Sequence, residues 1–270
     1  RDDSFDTLGD WQLTRREASD GYKTHTLMRP TPYYITLGAY GAGADPVIFS
    51  SVPLNQTLIN TNEPWPLTGL IMEDLDVRGG IWIRPKYDSA TEYFKDPGIQ
   101  ATIRRLKAQS IIMWESQANS FEDIYIDNNR AGVGLGTVGL DVNERPGYTY
   151  LNRVEVTNAL SHCVYFAGGI SNALMENSKL HDCGIYPTSN IRSGFTTHGF
   201  VNNLTLRNNE IYHNGFAIGI DANIGYPDIL KDVVVEDNKI YNQVNFVFQL
   251  ASIVDLIIRC EIKKENTIMP

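Results

Sequence analysis

The chain has 270 residues, 42% hydrophobic and 20% charged, a globular balance that excludes a disordered polymer and supplies a sizeable core. Its 23 basic and 32 acidic residues leave a net charge of -9, which excludes nucleic acid or an anionic lipid surface as an electrostatically attracted partner. No apolar run reaches about eighteen residues, so no membrane insertion is expected, and three cysteines without a C-x-x-C pair favour neither a disulfide scaffold nor a zinc site.

β architectures of this length are commonly undivided, so a single domain over 1–270 is expected, with 1–66 as irregular N-terminal coils and 67–268 as clear repeats. The segment YYITLGAYGAGADPVI (33–48) belongs to the first part. A weak repeat copy follows in LIMEDLDVRGGIWI (70–83). In DPGIQATIRRLKAQS (96–110), Asp96 as a cap, Pro97 in the first turn and Ile99, Ile103 and Leu106 at helical spacing predict one short loop helix. A second weak copy, FEDIYIDNNRAGVGL (121–135), runs into a glycine-rich stretch with G-x-G-x-x-G from Gly134 to Gly139. No helix or ribose-binding acid follows at the distance a nucleotide site needs. Small residues that leave a groove floor open explain the glycines better.

Four strong copies come next: VEVTNALSHCVYF (154–166), LMENSKLHDCGIY (174–186), LTLRNNEIYHNGFAI (204–218) and VVVEDNKIYNQVNFVF (233–248), with VDLIIRCEIKKENTI (254–268) as a final partial copy. Each holds about three short strands joined without a hairpin signal. Asn158, Ser178, Asn209 and Asn238 align as one column, 20, 31 and 29 residues apart, so the excess length falls in loops. Asparagine tolerates the left-handed backbone of a corner and its amide can stack on the next copy; glycine marks a second corner at Gly184 and Gly215. A chain that turns the same way at every corner winds into coils that pair in parallel about 4.8 Å apart. A leucine-rich repeat is the competing fold, since VNNLTLRNNEI and LKDVVVEDNKI approach its pattern. YHNGFAIGID and YNQVNFVFQL, the segments that follow, are aromatic, β-branched and glycine-rich instead of helical.

These copies resemble the right-handed parallel β-helix of the pectate-lyase-like superfamily, and YYITLGAYGAGADPVI looks like the early coil of its secreted members. The resemblance implies an all-β, single-stranded right-handed parallel β-helix, a solenoid, and a secreted or extracellular setting. The start at Arg1 rather than Met fits a removed leader or upstream segment. Polysaccharide is the partner implied, with a monomer expected, or a trimer if the chain is tailspike-like.

Alternation along the third strand of each copy turns Val164 and Phe166 inward and Tyr165 outward. Trp82, Arg84, Tyr186, Gly219 and Asp221 fall on the same outer face, flanked by long loops at 84–100, 136–150, 187–203 and 222–232. Trp82, Arg84, Trp114 and Tyr165 are candidate substrate-binding residues, because aromatic faces pack on sugar rings and charges suit the walls of a groove. Ordinary surface packing is the plain alternative for each. The chemistry-bearing cluster is LHDCGIYPTSNIRSGFTTHGF (180–200), with His181, Asp182, Tyr186, Arg192 and His198, to which Asp221 is added.

β-Elimination needs a group to neutralise a uronate carboxylate, a base for the C5 proton and an acid for the leaving oxygen. Arg192 or a cation would serve the first; Tyr186 or a histidine the others. Hydrolysis needs two carboxylates about 5 to 9.5 Å apart, for which Asp182 and Asp221 are the candidates, although Asp182 precedes the glycine corner, which can turn it to another face. The succession N-T-D, then D-D, then G-H-G of polygalacturonases is absent, so a lyase is the first expectation, a glycoside hydrolase the second, and a non-catalytic adhesin or tailspike part the third. His162 and His181 each adjoin a cysteine near a corner, where hydrogen bonding to backbone is the plain alternative. Cys163 and Cys183 are close enough in the repeat to pair or to stack unbonded, with Cys260 free. No metal ligand set is evident. Glu115, Asp141 and Glu144 are the acids a Ca2+ ion would use, but they are scattered singly and read first as solvated surface groups.

Overall fold

The computed structural model describes residues 12–17, 23–28, 35–38, 45, 47–48, 57–63, 68–85, 87–88, 93–94, 99–129, 139–185, 192–221, 230–250 and 254–263. Among them the chain is all β without a helix. Eighteen strands form one sheet, paired in parallel except for Gln12–Glu17 with Lys23–Met28. A separate antiparallel pair joins Tyr87–Asp88 to Tyr93–Phe94.

Parallel register places side chains in straight rows across the strands. One buried row runs Met72, Ile103, Phe121, Leu151, Met175, Leu206, Val235 and Ile258. A second runs Ala108, Ile126, Val156, Leu180, Ile211, Ile240 and Ile262. A third, on other strands, runs Ile81, Ile111, Leu140, Val164, Phe195, Ile218 and Phe248. Most of these side chains are fully buried, and each fully buried Val, Leu, Ile, Phe or Met contributes about 1.5–3 kcal/mol by leaving water.

The expected helix at 96–110 is a strand, Ile99–Ala108. Its helix-like spacing has a different cause. Arg105 takes a left-handed φ of 50°, which bends the strand and lets Ile103 and Leu106, three apart, both face the core. Asp74, Asp123 and Arg153 stand in the same row with φ of 54–55° and separate Met72 from Leu75, Phe121 from Ile124 and Leu151 from Val154. Among the described residues, the positive-φ residues other than glycine are Asn or Asp, save Arg105, Arg153 and His213, as the local side-chain hydrogen bonding of Asn and Asp favours. The arginines are held there by charge. Arg105 grips Asp74 through Nε at 2.6 Å and Nη2 at 2.9 Å, Arg153 grips Asp123 likewise, and each arginine holds its carboxyl below the usual carboxylate range.

The outer rows beside this bend alternate in sign. Glu73, Arg104 and Glu122 are followed by Asn152, then Glu176, Arg207, Glu236 and Arg259; next to them run Glu155, Lys179, Glu210, Lys239 and Glu261. Ion pairs at 2.6 Å (Arg104–Glu73) and 2.7 Å (Arg207–Glu176) tie neighbouring strands.

Inside the same bend, the row of Leu75, Leu106, Ile124 and Val154 gives way to Ser178, Asn209, Asn238 and Cys260. Asn209 Nδ2 donates to Asn238 Oδ1 (2.9 Å) and to the Met175 carbonyl (3.0 Å), while Asn209 Oδ1 accepts from Ser178 N–H (3.0 Å). The expected amide column therefore forms from Ser178 to Asn238. Asn158 does not join it. Thr157 is in register with His181, so Asn158 aligns with Asp182, and the place above Ser178 is taken by Val154, whose N–H meets Ser178 Oγ at 3.0 Å.

Two expected loops are largely strand: Leu140–Thr157 occupies most of 136–150, and Ser193–Arg207 most of 187–203. Cys163 and Cys183 form a disulfide and Cys260 is free. The two cysteines do not share a row. They close the two ends of the Val164–His181 segment, where Gly184, with φ 65°, and Gly215, whose Cβ would lie 2.3 Å from the Arg192 carbonyl oxygen, turn the chain.

Candidate functional site

The chemistry-bearing residues divide between two places. Row register sets Trp114, Asn143, Ala167, His198 and Asp221 in one line across five strands, with Trp82, Ile112, Asp141, Tyr165, Thr196 and Gly219 in a line two residues earlier. Neighbours in such a line are about 4.8 Å apart. Tyr165 is turned outward and half-buried between the buried Val164 and Phe166, as alternation requires. Arg84 pairs in register with Asn62. The side chains of Trp82, Arg84, Trp114 and Asp221, and all of Tyr186, lie outside the described residues, as do the side chains of Glu115, Asp141 and Glu144.

Around Tyr165 the described side chains converge. The His162 ring stacks on Tyr165 (centroids 5.2 Å, planes 15° apart), and the His198 ring meets Tyr165 edge-on at 5.4 Å. His162 is fixed from beneath. Its Nδ1 accepts Ser193 N–H at 3.3 Å and lies 2.9 Å from Ser193 Oγ, which in turn contacts Thr196 Oγ1. A nitrogen that accepts a backbone N–H carries no proton, so the remaining proton of neutral His162 is on Nε2. Burial, followed by the charges of His198 and Arg192, pushes the His162 pKa down to about 3. The imidazole therefore stays neutral, and its stacking aligns Tyr165 against His198. Arg192 is half-buried, and its charge reaches His162. The arrangement offers an imidazole and a phenol on one outward face beside the Asp221 position.

The second place is on other strands. His181, Tyr212 and Tyr241 stack face to face, with centroids 4.7 and 5.0 Å apart and planes within 3°. His181 Nδ1 is 2.7 Å from Asp182 Oδ2 and 3.2 Å from Thr157 Oγ1, its Nε2 is 3.4 Å from Glu155, and His213 Nδ1 bonds the other Asp182 oxygen. Burial raises the Asp182 pKa, but the hydrogen bonds and charges of His181 and His213 together outweigh it and leave the carboxyl below its usual range. Tyr241 O–H donates to Glu210 at 2.7 Å. The Asp182 carboxylate is engaged at both oxygens, and Asp182 shares a row with Asn158, His213 and Asn242 while Asp221 shares one with His198.

Sequence reasoning grouped His181 and Asp182 with Arg192 and His198 because the four lie within a short stretch, yet the Cys183–Gly184 bend separates His181 and Asp182 from His198, and Arg192 packs against Gly184 at the bend itself. His213 and Ser193 were not singled out. The signal for His213 was its place 31 residues after Asp182 in the next copy; Ser193 carried none. Among the described residues, no group of three or more His, Cys, Asp and Glu is positioned to hold a metal ion. Comparison with known protein families, with curated proteins and with solved structures finds no match.

Proposed function

We propose that the chain is a right-handed parallel β-helix that acts on an extracellular polysaccharide, cleaving it by β-elimination on the face that carries Tyr165 and His198. The observation that carries this reading is the convergence of His198 on Tyr165, with Asp221 one strand away in register and Arg192 within electrostatic reach of His162. Long rows of parallel strands favour a solenoid, and a line of side chains at about 4.8 Å spacing suits an extended glycan. The disulfide favours an oxidising, extracellular setting.

In this reading Arg192 neutralises a uronate carboxylate, which acidifies the proton on C5. His198 takes that proton, the C4–O bond breaks as the C4=C5 bond forms, and the Tyr165 hydroxyl protonates the departing oxygen. His162 positions Tyr165 and takes no proton. Hydrolysis by Asp182 and Asp221 is the weaker reading, because these two carboxylates belong to different rows.

Incubation with a panel of uronic-acid polysaccharides, followed by absorbance of unsaturated ends and by reducing-end assay, tests this. Both signals are expected to rise together, and His198→Ala is expected to lower the rate by about 100-fold or more, with His213→Ala near wild type. Reducing ends without unsaturated ends would replace elimination by hydrolysis. Glycan retention with neither product would leave a binding module.

A further inference from the structure

The strand Val254–Lys263 pairs with Leu230–Tyr241 on one side and with no described strand on the other. Ile258, Cys260 and Ile262 continue the buried rows of Val235, Asn238 and Ile240, while Arg259 and Glu261 stand outside, in line with Glu236 and Lys239. Ile258 is 38% and Ile262 50% exposed, although Val235 and Ile240 in the same rows are wholly buried. An apolar edge with open backbone groups is a template for another strand.

We propose that this edge pairs with the same edge of a second copy, antiparallel about a two-fold axis through Cys260. That register sets Arg259 opposite the partner's Glu261 and Ile258 opposite the partner's Ile262, and the axis repeats both contacts. Every pair on the buried face is then apolar or cysteine. An axis through Ile257 also opposes unlike charges, Asp255 and the partner's Arg259, but it leaves Glu261 and the half-exposed Ile262 without a partner, whereas the Cys260 axis covers both exposed isoleucines. The remaining registers fail on charge or on overlap. An axis through Arg259 or through Glu261 opposes like charges, one through Ile258 sets Asp255 against the partner's Glu261, and a parallel in-register pairing sets Arg259 beside its own copy. An axis through Ile262 leaves only a three-residue overlap within the strand. The Cys260 axis joins Ile257–Lys263 over its whole length. The Glu261–Lys263 ion pair, at 2.8 Å, is exposed and weak, so it does not hold Glu261 back.

Light scattering on a sizing column, with the whole chain between about 5 and 100 µM, tests the proposal on the ordinary scale of weak dimers. The expected mass is that of two chains. Arg259→Glu and Glu261→Arg each place like charges opposite one another and are expected to weaken association at least about tenfold, whereas the double exchange R259E/E261R restores it. Circular dichroism checks that each variant keeps its β spectrum. A chain that stays monomeric at the highest concentration, an assembly larger than two, or a dimer indifferent to either single exchange would overturn the proposal.

Discussion

His162 is a neutral imidazole held by a backbone N–H, and that makes acid a specific threat to this protein. Its pKa of about 3 in the fold lies below the ordinary value of 6.5, so the unfolded chain binds the extra proton and stability falls as pH drops from about 6.5 toward 3. The loss reaches about 2–3 kcal/mol by pH 4. His162→Asn keeps an acceptor near Nδ1 and cannot titrate; its urea-unfolding free energy is expected to change less between pH 7 and 4 than that of the wild type, and an unchanged slope would assign the acid sensitivity elsewhere. Thr197 is the opposite case. It is wholly buried between Phe166 and Ile220 in register, and its Oγ1 has no hydrogen-bond partner among the described residues. Thr197→Val is expected to stabilise by about 1 kcal/mol, seen as a higher Tm. At this scale the sequence was partly legible. Alternation alone turned Tyr165 outward, but nothing local announced that Ser193 would hold His162, because that bond joins residues 31 apart in the chain.

The amide row and the disulfide show what secures a strand in a parallel sheet. Asn209→Ala would leave Ser178 N–H and the Met175 carbonyl without the Asn209 amide, while Asn238 Oδ1 keeps the Asn209 backbone N–H, at about 2 kcal/mol, measurable by chemical denaturation. Opening Cys163–Cys183 with a Cys163→Ser/Cys183→Ser double variant is expected to cost about 3 kcal/mol, from the freedom returned to a loop of twenty residues. The strand Ile99–Ala108 marks the limit of pattern reading. Apolar residues three apart belong equally to a helix and to a strand bent by a left-handed residue, and Arg105 is not a residue type from which that bend is expected. Its reason lies across the sheet, in Asp74 and Glu73. Asn158 was misassigned for a related cause: the copy at 154–166 offers valine where its neighbours offer serine or asparagine, so a match on asparagine slides the alignment.

Across the molecule, the rows are deepest in the middle and thinnest at the last strand. Amide exchange is accordingly expected to be slowest for Leu206, Val235 and Ile211 and faster by orders of magnitude across Val254–Lys263, and uniform protection would contradict the burial gradient. The parallel all-β arrangement was legible because the repeat carried it many times over, whereas the site was legible only as residue types, since its geometry depends on which strands the register brings together. The alternating outer rows carry one more consequence, for how such a chain can change its length. Lys179 lies between Glu155 and Glu210, as Arg207 lies between Glu176 and Glu236. Loss or gain of one repeat would bring acid against acid or base against base along both edges, while a pair of repeats would slot in without conflict, so a ladder of this kind favours descendants that differ by even numbers of rungs.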